Sequence, residues 1–584
     1  MADVLVAFRE IIGVCRHDRS WPRRLRSNVK TSETEHVRSH IQTKAGRHAI
    51  LHAVFERLMP LEDGVESRPK VTMRYYRLIC VTVLVVGAGI ALTAQDKVDL
   101  AMVAKIRAEG TDRSKVLEVY NYITNVTGAR PTGSRAHKQA ADYVRGKLAD
   151  WGMANSRLEP FQFGRGWELE KFTLELTAPR YFPMTGYPLA WTPSPKGILS
   201  GTPLYLGDKT EAEITALGER LRGAIILPVP PQTVFMLTDR LQPADTDTLV
   251  RIGGPEPPTE RQAPPVVPLN TMTTLLQKFG AGALLRPGTQ LHGTATVAGN
   301  PNTPNDAIPT VIVVAEHYNM IVRMMQTGVT PQLRLELRTK YQESDLNSYN
   351  VIAEIPGEDP VLRDQVVIVG AHLDSLPAAS GATDNADGAA SAVEAMRILK
   401  AVGAHPRRTI RVAIWSGEEV GFVGGRAYVQ QHLADAASRE KIAVYLNNDP
   451  GAGATYGWYM ANNADARGIF DSWLEPLKNL GLKRNVMDSN FTSEDGVFDG
   501  VGIPAFTTIM DYTNYDARTR HTNADFYEAV SERDLEQSAI IMAVFAYQSA
   551  MTDRPMPRRP AGVPASPRPA PPAGRGRGGP PPGH

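Results

Sequence analysis

Six side chains between Val366 and His521 have the types and spacing for metal chemistry: His372, Asp384, Glu418, Glu419, Asp449 and His521. They lie in Val-Gly-Ala-His-Leu-Asp-Ser, Gly-Ala-Thr-Asp-Asn-Ala-Asp-Gly, Trp-Ser-Gly-Glu-Glu-Val-Gly, Leu-Asn-Asn-Asp-Pro-Gly and Arg-His-Thr-Asn-Ala-Asp. Imidazole and carboxylate without thiolate suit zinc, and the two cysteines, Cys15 and Cys80, lie far from these segments. A pair of ions about 3.5–4 Å apart needs a bridging carboxylate and terminal ligands on each. Asp384 is the expected bridge, because the glycines around it let the backbone turn sharply. His372 and Asp449 then complete one ion, and Glu419 and His521 the other. The expectation is two Zn2+ per chain and hydrolysis by metal-activated water.

Glu418 is the expected general base, since two adjacent carboxylates on a tight loop cannot easily bind one ion and one is left to take a proton. Asp374, two residues past His372, is expected to orient its imidazole. Each motif alone has a plain reading. A His-X-Asp is usually a hydrogen-bonded surface pair, a Glu-Glu pair a solvated helix face, Asp449-Pro450-Gly451 a turn, and Asn523 or Asp525 a helix cap. Their joint occurrence at the ends of apolar runs favours the metal reading. His137, His317, His405 and His432 lack an acidic strand-end context and are read as ordinary surface residues.

The elements that must position these groups alternate in type. Val366 to Gly370, Ile410 to Trp415, Ile442 to Leu446 and Ala505 to Ile509 are short apolar strands, as buried parallel strands are. Ala389 to Leu399, Arg426 to His432, Asp465 to Leu477 and Glu532 to Gln548 have helical patterning. Strands alternating with helices imply an α/β fold, with a mainly parallel (mixed) sheet sandwiched by helices. Ligands bind beyond the carboxyl ends of such strands, which is where His372, Glu418, Glu419 and Asp449 fall. Upstream, Ser114 to Asn125 and His137 to Trp151 are expected helices. The Pro- and Gly-rich stretch 196–345 carries its own strands and helices and none of the clustered ligands, so it is read as an inserted small α/β domain.

With these motifs in place, the chain resembles metallopeptidase family twenty-eight, the co-catalytic zinc exopeptidases that include bacterial leucyl aminopeptidases and carboxypeptidase Q-like enzymes. The resemblance runs over roughly residues 100–550 and is strongest from Asn350 to Asp525. It implies His372, Asp384, Glu419, Asp449 and His521 as zinc ligands, Glu418 as base, and a protease-associated-like identity for the insert. Departures bear on specificity. Asp387 stands where many aminopeptidases have Ser, Ser493-Glu494-Asp495 replaces Ser-Asp-His, and Arg520 replaces a tyrosine before the last histidine. Tyr512, Tyr515, Arg518 and Arg520 are candidates for the oxyanion partner. Asp387 and Glu494 suit a substrate amine, Arg518 and Arg520 a substrate carboxylate.

The expected activity is a secreted exopeptidase acting on short peptides, aminopeptidase favoured. The alternatives are a carboxypeptidase or dipeptidase, a glutaminyl cyclase-like transferase, or a non-catalytic binding protein on the same fold. At 584 residues, 42% hydrophobic, 22% charged and with a net charge of +2, the chain gives no sign of a nucleic-acid partner. Short peptides are the expected partners, with a homodimer an option. Residues 1–72 are a basic leader that suggests a start at Met73, and 73–94 have a basic opening, an apolar run from Leu78 to Leu92 and a small-residue cleavage zone. That run is shorter than the ~20 residues of a membrane span, so it is read as a signal peptide for a secreted or periplasmic protein, or an anchor if uncleaved. No stable span is expected after cleavage. Peptidase segments are expected at 95–195 and 346–552, and the Pro/Arg/Gly-rich stretch 553–584 is expected to be disordered.

Overall fold

The structure, a computed structural model, describes residues 98–239, 242–243, 249–250, 260–449 and 451–565. The leader, the 73–94 signal segment and residues 566–584 lie outside the described residues. No helix among the described residues is long and apolar enough to cross a membrane.

Seven strands form the central sheet: β1 (Ala154–Gln162), β2 (Asn347–Ile355), β3 (Val366–His372), β4 (Thr409–Trp415), β5 (Ile442–Asn447), β6 (Thr455–Tyr459) and β7 (Ala505–Met510). Their order is β1-β2-β4-β3-β5-β7-β6. The inner four are parallel, while β1, β2 and β6 pair antiparallel with their neighbours. The sheet is mixed with a parallel centre, as the alternating elements predict.

Six helices matter to the site: α1 (Leu100–Asp112), α2 (Arg135–Asp150), α3 (Asp387–Ala401), α4 (Val423–His432), α5 (Glu494–Asp499) and α6 (Glu532–Met551). β3 is apolar along its length because helices cover both its faces. Val367, Val369 and Ala371 pack in one core with α1, α2, α3 and α6, while Val366 and Ile368 pack in another with Tyr428 of α4 and Phe498 of α5. The two-residue side-chain period of a strand makes that split. α1 is absent from the sequence expectations. Asp99 caps it by accepting from Met102 N, and Gly110 lets it approach α6, since a Cβ there would run into Ile540 Cγ1.

Between β1 and β2 the chain leaves the sheet, and Phe163 N donates to Leu346 O (3.0 Å) where it departs and returns. The excursion, residues 163–346, holds a five-stranded and a four-stranded sheet and the helices Leu269–Phe279 and Ala315–Gln326. Gly166–Ala178 pairs with Gln332–Gln342, and Gly186–Pro188 with Thr310–Val313, so the 195/196 division falls inside the excursion. Residues 553–565, expected within a disordered tail, instead dock on the main unit. Met556 is buried, Arg558 Nη2 donates to Arg439 O (2.9 Å), and Arg559 Nη2 pairs with Asp499 Oδ2 (2.8 Å).

Candidate metal centre

The carboxyl ends of β4, β3 and β5 lie side by side, and three chain segments bring their functional groups there. His372 is the last residue of β3 and pairs with Trp415, the last of β4. The chain leaving β4 runs through Ser416 and Gly417 to Glu418 and Glu419, and the chain leaving β5 reaches Asp449. Asp384 lies in the irregular turn Ala382–Ala386 that enters α3. Gly388 in the first turn of α3 permits this approach, because a Cβ there would meet Asn385 Oδ1 and Asn448 O. His521 lies beyond β7 with φ of 60°.

The six side chains converge as two trios, His372 with Glu418 and Asp449, and Asp384 with Glu419 and His521, each with one ligand atom per residue within 4.8 Å of the others. His372 Nε2 lies 3.2 Å from Asp384 Oδ1, 3.7 Å from Asp449 Oδ2 and 3.8 Å from Glu418 Oε2. His521 Nε2 lies 3.1 Å from Asp384 Oδ2 and 2.8 Å from Glu419 Oε2. Asp384 therefore addresses both trios, one oxygen each. Asp384 Oδ2, Glu419 Oε1, Asp449 Oδ1 and His521 Nε2 are buried yet satisfied by no hydrogen bond. Buried polar atoms that converge without bonding one another fit a shared cation.

The electrostatics point the same way. Four carboxylates crowd two imidazoles in a largely buried site, and such charge must be neutralised. Burial pushes the Glu418 carboxyl well above its usual range, with Asp449 and Glu419 adding to the effect. Burial, less the pull of His372, takes Asp449 up to about 6. Burial would lower His521, but Glu419 and Asp384 carry it up to about 9. Burial also acts against ionised Asp384, yet the flanking His372 and His521 hold it well below the usual carboxylate range. Divalent cations supply the same neutralisation, so the residues present fit a metal.

Asp374 differs in detail from its expected role. His372 Nδ1 lies 3.0 Å from the Asp374 backbone carbonyl and 3.7 Å from its carboxylate. The carboxylate instead accepts from Glu418 N (3.2 Å), Glu419 N (3.3 Å) and Thr132 Oγ1 (2.8 Å). It anchors the Glu-Glu loop, and the neighbouring peptide orients the imidazole. Among the oxyanion candidates, Tyr512 is buried with its hydroxyl 3.2 Å from that of Tyr459, and Tyr515 is buried. Arg520 reaches the centre, its Nε 3.8 Å from Asp384 Oδ2 and its side chain 41% exposed.

Several supporting residues escaped the sequence reading. Arg130 is fully buried and donates to Leu373 O (2.8 Å), Gly128 O (2.7 Å), Gly381 O (3.0 Å) and Ser380 O, which ties down the loop between His372 and Asp384. Asp525 Oδ1 accepts from Thr383 N (2.7 Å) beside Asp384 rather than capping a helix. His137 is 1% exposed, not a surface residue. His317 is half-buried, its Nδ1 accepting from Thr185 N (3.0 Å), whereas His405 and His432 pair with Glu358 and Glu159 at the surface. The turn-rich Thr127-Gly-Ala-Arg-Pro-Thr-Gly-Ser134 offers no periodicity to mark Arg130 or Thr132.

Comparison with known proteins gives a consistent relationship. Residues 350–546 match the Peptidase family M28 model. Carboxypeptidase Q of Bos taurus is 24% identical over 456 residues, spanning 77% of this chain and 88% of that protein. An aminopeptidase of Pseudomonas aeruginosa is 39% identical over 121 residues, 20% of this chain and 21% of that protein. In fold, the chain is similar to a Peptidase M28 precursor from Shewanella amazonensis, with a TM-score of 0.60, 22% identity, and 78% and 98% of the two chains covered. It is also similar to BSAP, a zinc aminopeptidase from Bacillus subtilis, with a TM-score of 0.51, 16% identity, and 77% and 96% covered. Residues 350–546, the span that carries all six converging side chains, belong to peptidase family M28.

Proposed function

We propose that the protein is a zinc-dependent exopeptidase that cleaves the terminal bond of short peptides. The observation carrying this reading is Asp384, which turns one oxygen to each of two ligand trios. His372 and Asp449 would hold one Zn2+, Glu419 and His521 a second, and Asp384 both. When bound, the ions supply Lewis acidity, polarising the scissile carbonyl and lowering the pKa of water. Glu418 takes the proton from the attacking water on a carboxylate oxygen and returns it to the leaving amine. Asp374 fixes where Glu418 stands by accepting its backbone N–H. Burial around the trios excludes bulk water and strengthens every charge in the site.

The terminus recognised is read from what faces the site. Asp387 and Glu494, the acids suited to an amine, are both buried, and burial holds Asp387 well above the usual carboxylate range and lifts Glu494 to about 8. Arg520 brings a half-exposed guanidinium beside Asp384, and that favours a substrate carboxylate. We therefore place carboxypeptidase or dipeptidase action ahead of aminopeptidase action, in keeping with the extent of the match to carboxypeptidase Q. The similarity to the Pseudomonas aminopeptidase supports the second reading.

Amino-blocked and carboxyl-amidated dipeptides separate the two. Cleavage of the amino-blocked peptide with loss of the amidated one is the expected result, and the reverse pattern restores the aminopeptidase. Arg520→Ala should cost about 10–100-fold in kcat/KM on free-carboxylate substrates, the range of one charge-assisted hydrogen bond. Export through residues 73–94, a protease-associated-like role for the excursion and a homodimer belong to the same proposal. N-terminal sequencing of protein recovered outside the cell, with a start near Gln95 expected, checks the first.

A further inference from the structure

The excursion between β1 and β2 does more than decorate the sheet edge, because it holds the loop that presents His521. Val297 N donates to His521 O (2.8 Å), and Thr296 bridges Thr522 in antiparallel fashion. Asn523 sits between two backbone groups of the excursion, its Oδ1 accepting from Ala295 N (2.8 Å) and its Nδ2 donating to Gly293 O (3.0 Å). Asp239, also in the excursion, accepts from Asn514 N (2.8 Å) and Ala517 N (2.9 Å) in the turn that precedes His521. Ala295 and Val297 share a buried apolar cluster with Ala378, in the loop between His372 and Asp384.

These ties matter because His521 has φ of 60°, a conformation that non-glycine residues adopt at a cost and keep only where their surroundings enforce it. Here the enforcing bonds come from a segment remote in sequence. We propose that Asn523 and Asp239 are positioning residues for His521, so that the excursion is a working wall of the metal centre. The proposal rests on the reading of His521 as a metal ligand. Loosening either tie lets the loop relax and the imidazole drift from Asp384 and Glu419, which weakens the cation held there.

The test uses the full chain and three variants, Asn523→Ala, Asp239→Ala and His521→Ala. Zinc affinity is measured by competition with a chromophoric chelator, and kcat and KM on a dipeptide. Asn523→Ala should weaken zinc binding by about 10–100-fold, as loss of an orienting partner does, and lower kcat with KM changed by less than about threefold. Asp239→Ala should move zinc affinity in the same direction. Wild-type zinc affinity in both variants, with affinity lost in His521→Ala, overturns the positioning role and leaves the ligand reading intact. Wild-type affinity in His521→Ala overturns the ligand reading, and the positioning role falls with it. Should Asn523→Ala fail to fold, Asp239→Ala decides alone.

Discussion

Glu418 and Asp374 show how much a single residue's neighbours alter what its sequence position suggests. Adjacent acids after a strand suggest one ligand and one base. In the structure Glu418 shares a trio with His372 and Asp449. Glu418→Gln should lower kcat by about 100-fold or more while zinc content stays at the wild-type value. Loss of zinc in that variant would make Glu418 a ligand instead. Asp374→Ala removes the acceptor of both Glu418 N and Glu419 N. A drop of about 10–100-fold in zinc affinity or activity is expected, and an unaffected enzyme would leave the carboxylate without a role at the centre. Four of the six convergent groups, His372, Glu418, Glu419 and Asp449, could be read from sequence because they follow locally recognisable apolar runs, whereas Asp384 and His521 rested on their motifs. The bonds made by Asp374 could not, since Thr132 lies 242 residues away.

At the scale of elements, α2 carries a buried ionisable group that its amphipathic pattern conceals. His137 lies in the first turn of α2, and its Nε2 has no hydrogen-bond partner. Burial pushes its pKa down to about 4, against the opposing pull of Asp374. The unfolded chain, with an imidazole near pH 6.5, takes up the proton first, so the associated stability is complete above that pH and is lost as pH falls toward 4. The full loss is about 3 kcal/mol. His137→Met should flatten this part of the pH dependence of the urea midpoint between pH 7.5 and 4.5, and parallel curves for the two proteins would refute the assignment. In α1, an exchange of Gly110 for Ala would ordinarily stabilise a helix interior by about 0.5–1 kcal/mol. The contact with Ile540 reverses the sign, and Gly110→Ala should destabilise by about 1–3 kcal/mol, the usual result of overpacking. A raised urea midpoint would show that α1 and α6 can separate without cost. Helix periods made α2, α3 and α6 legible, whereas α1 was missed and the helix–helix approach that requires its glycine depends on a partner 430 residues away.

For the whole molecule, the metal should couple the site to the fold. Four acids and two imidazoles from five segments cannot be gathered in an unfolded chain, so zinc bound to the native state adds stability by mass action. Free zinc at 100 times its Kd should raise stability by about 2.7 kcal/mol. Chelation should lower the unfolding midpoint, and zinc added back should restore it. A midpoint indifferent to both would remove the metal from the account of stability.

The sequence by itself determined which residues converge at one rim as candidate ligands and the core of the fold, because strand and helix periods are local and parallel strands deliver their carboxyl ends to one rim. Tertiary structure alone decided how the site is held. Arg130 beneath the loop before Asp384, and Asn523 and Asp239 across the excursion, act through bonds to distant backbone, as Arg558 and Arg559 do where the tail docks away from the site. Such bonds follow from which loops meet once the sheet has formed, and no local pattern of residues encodes them.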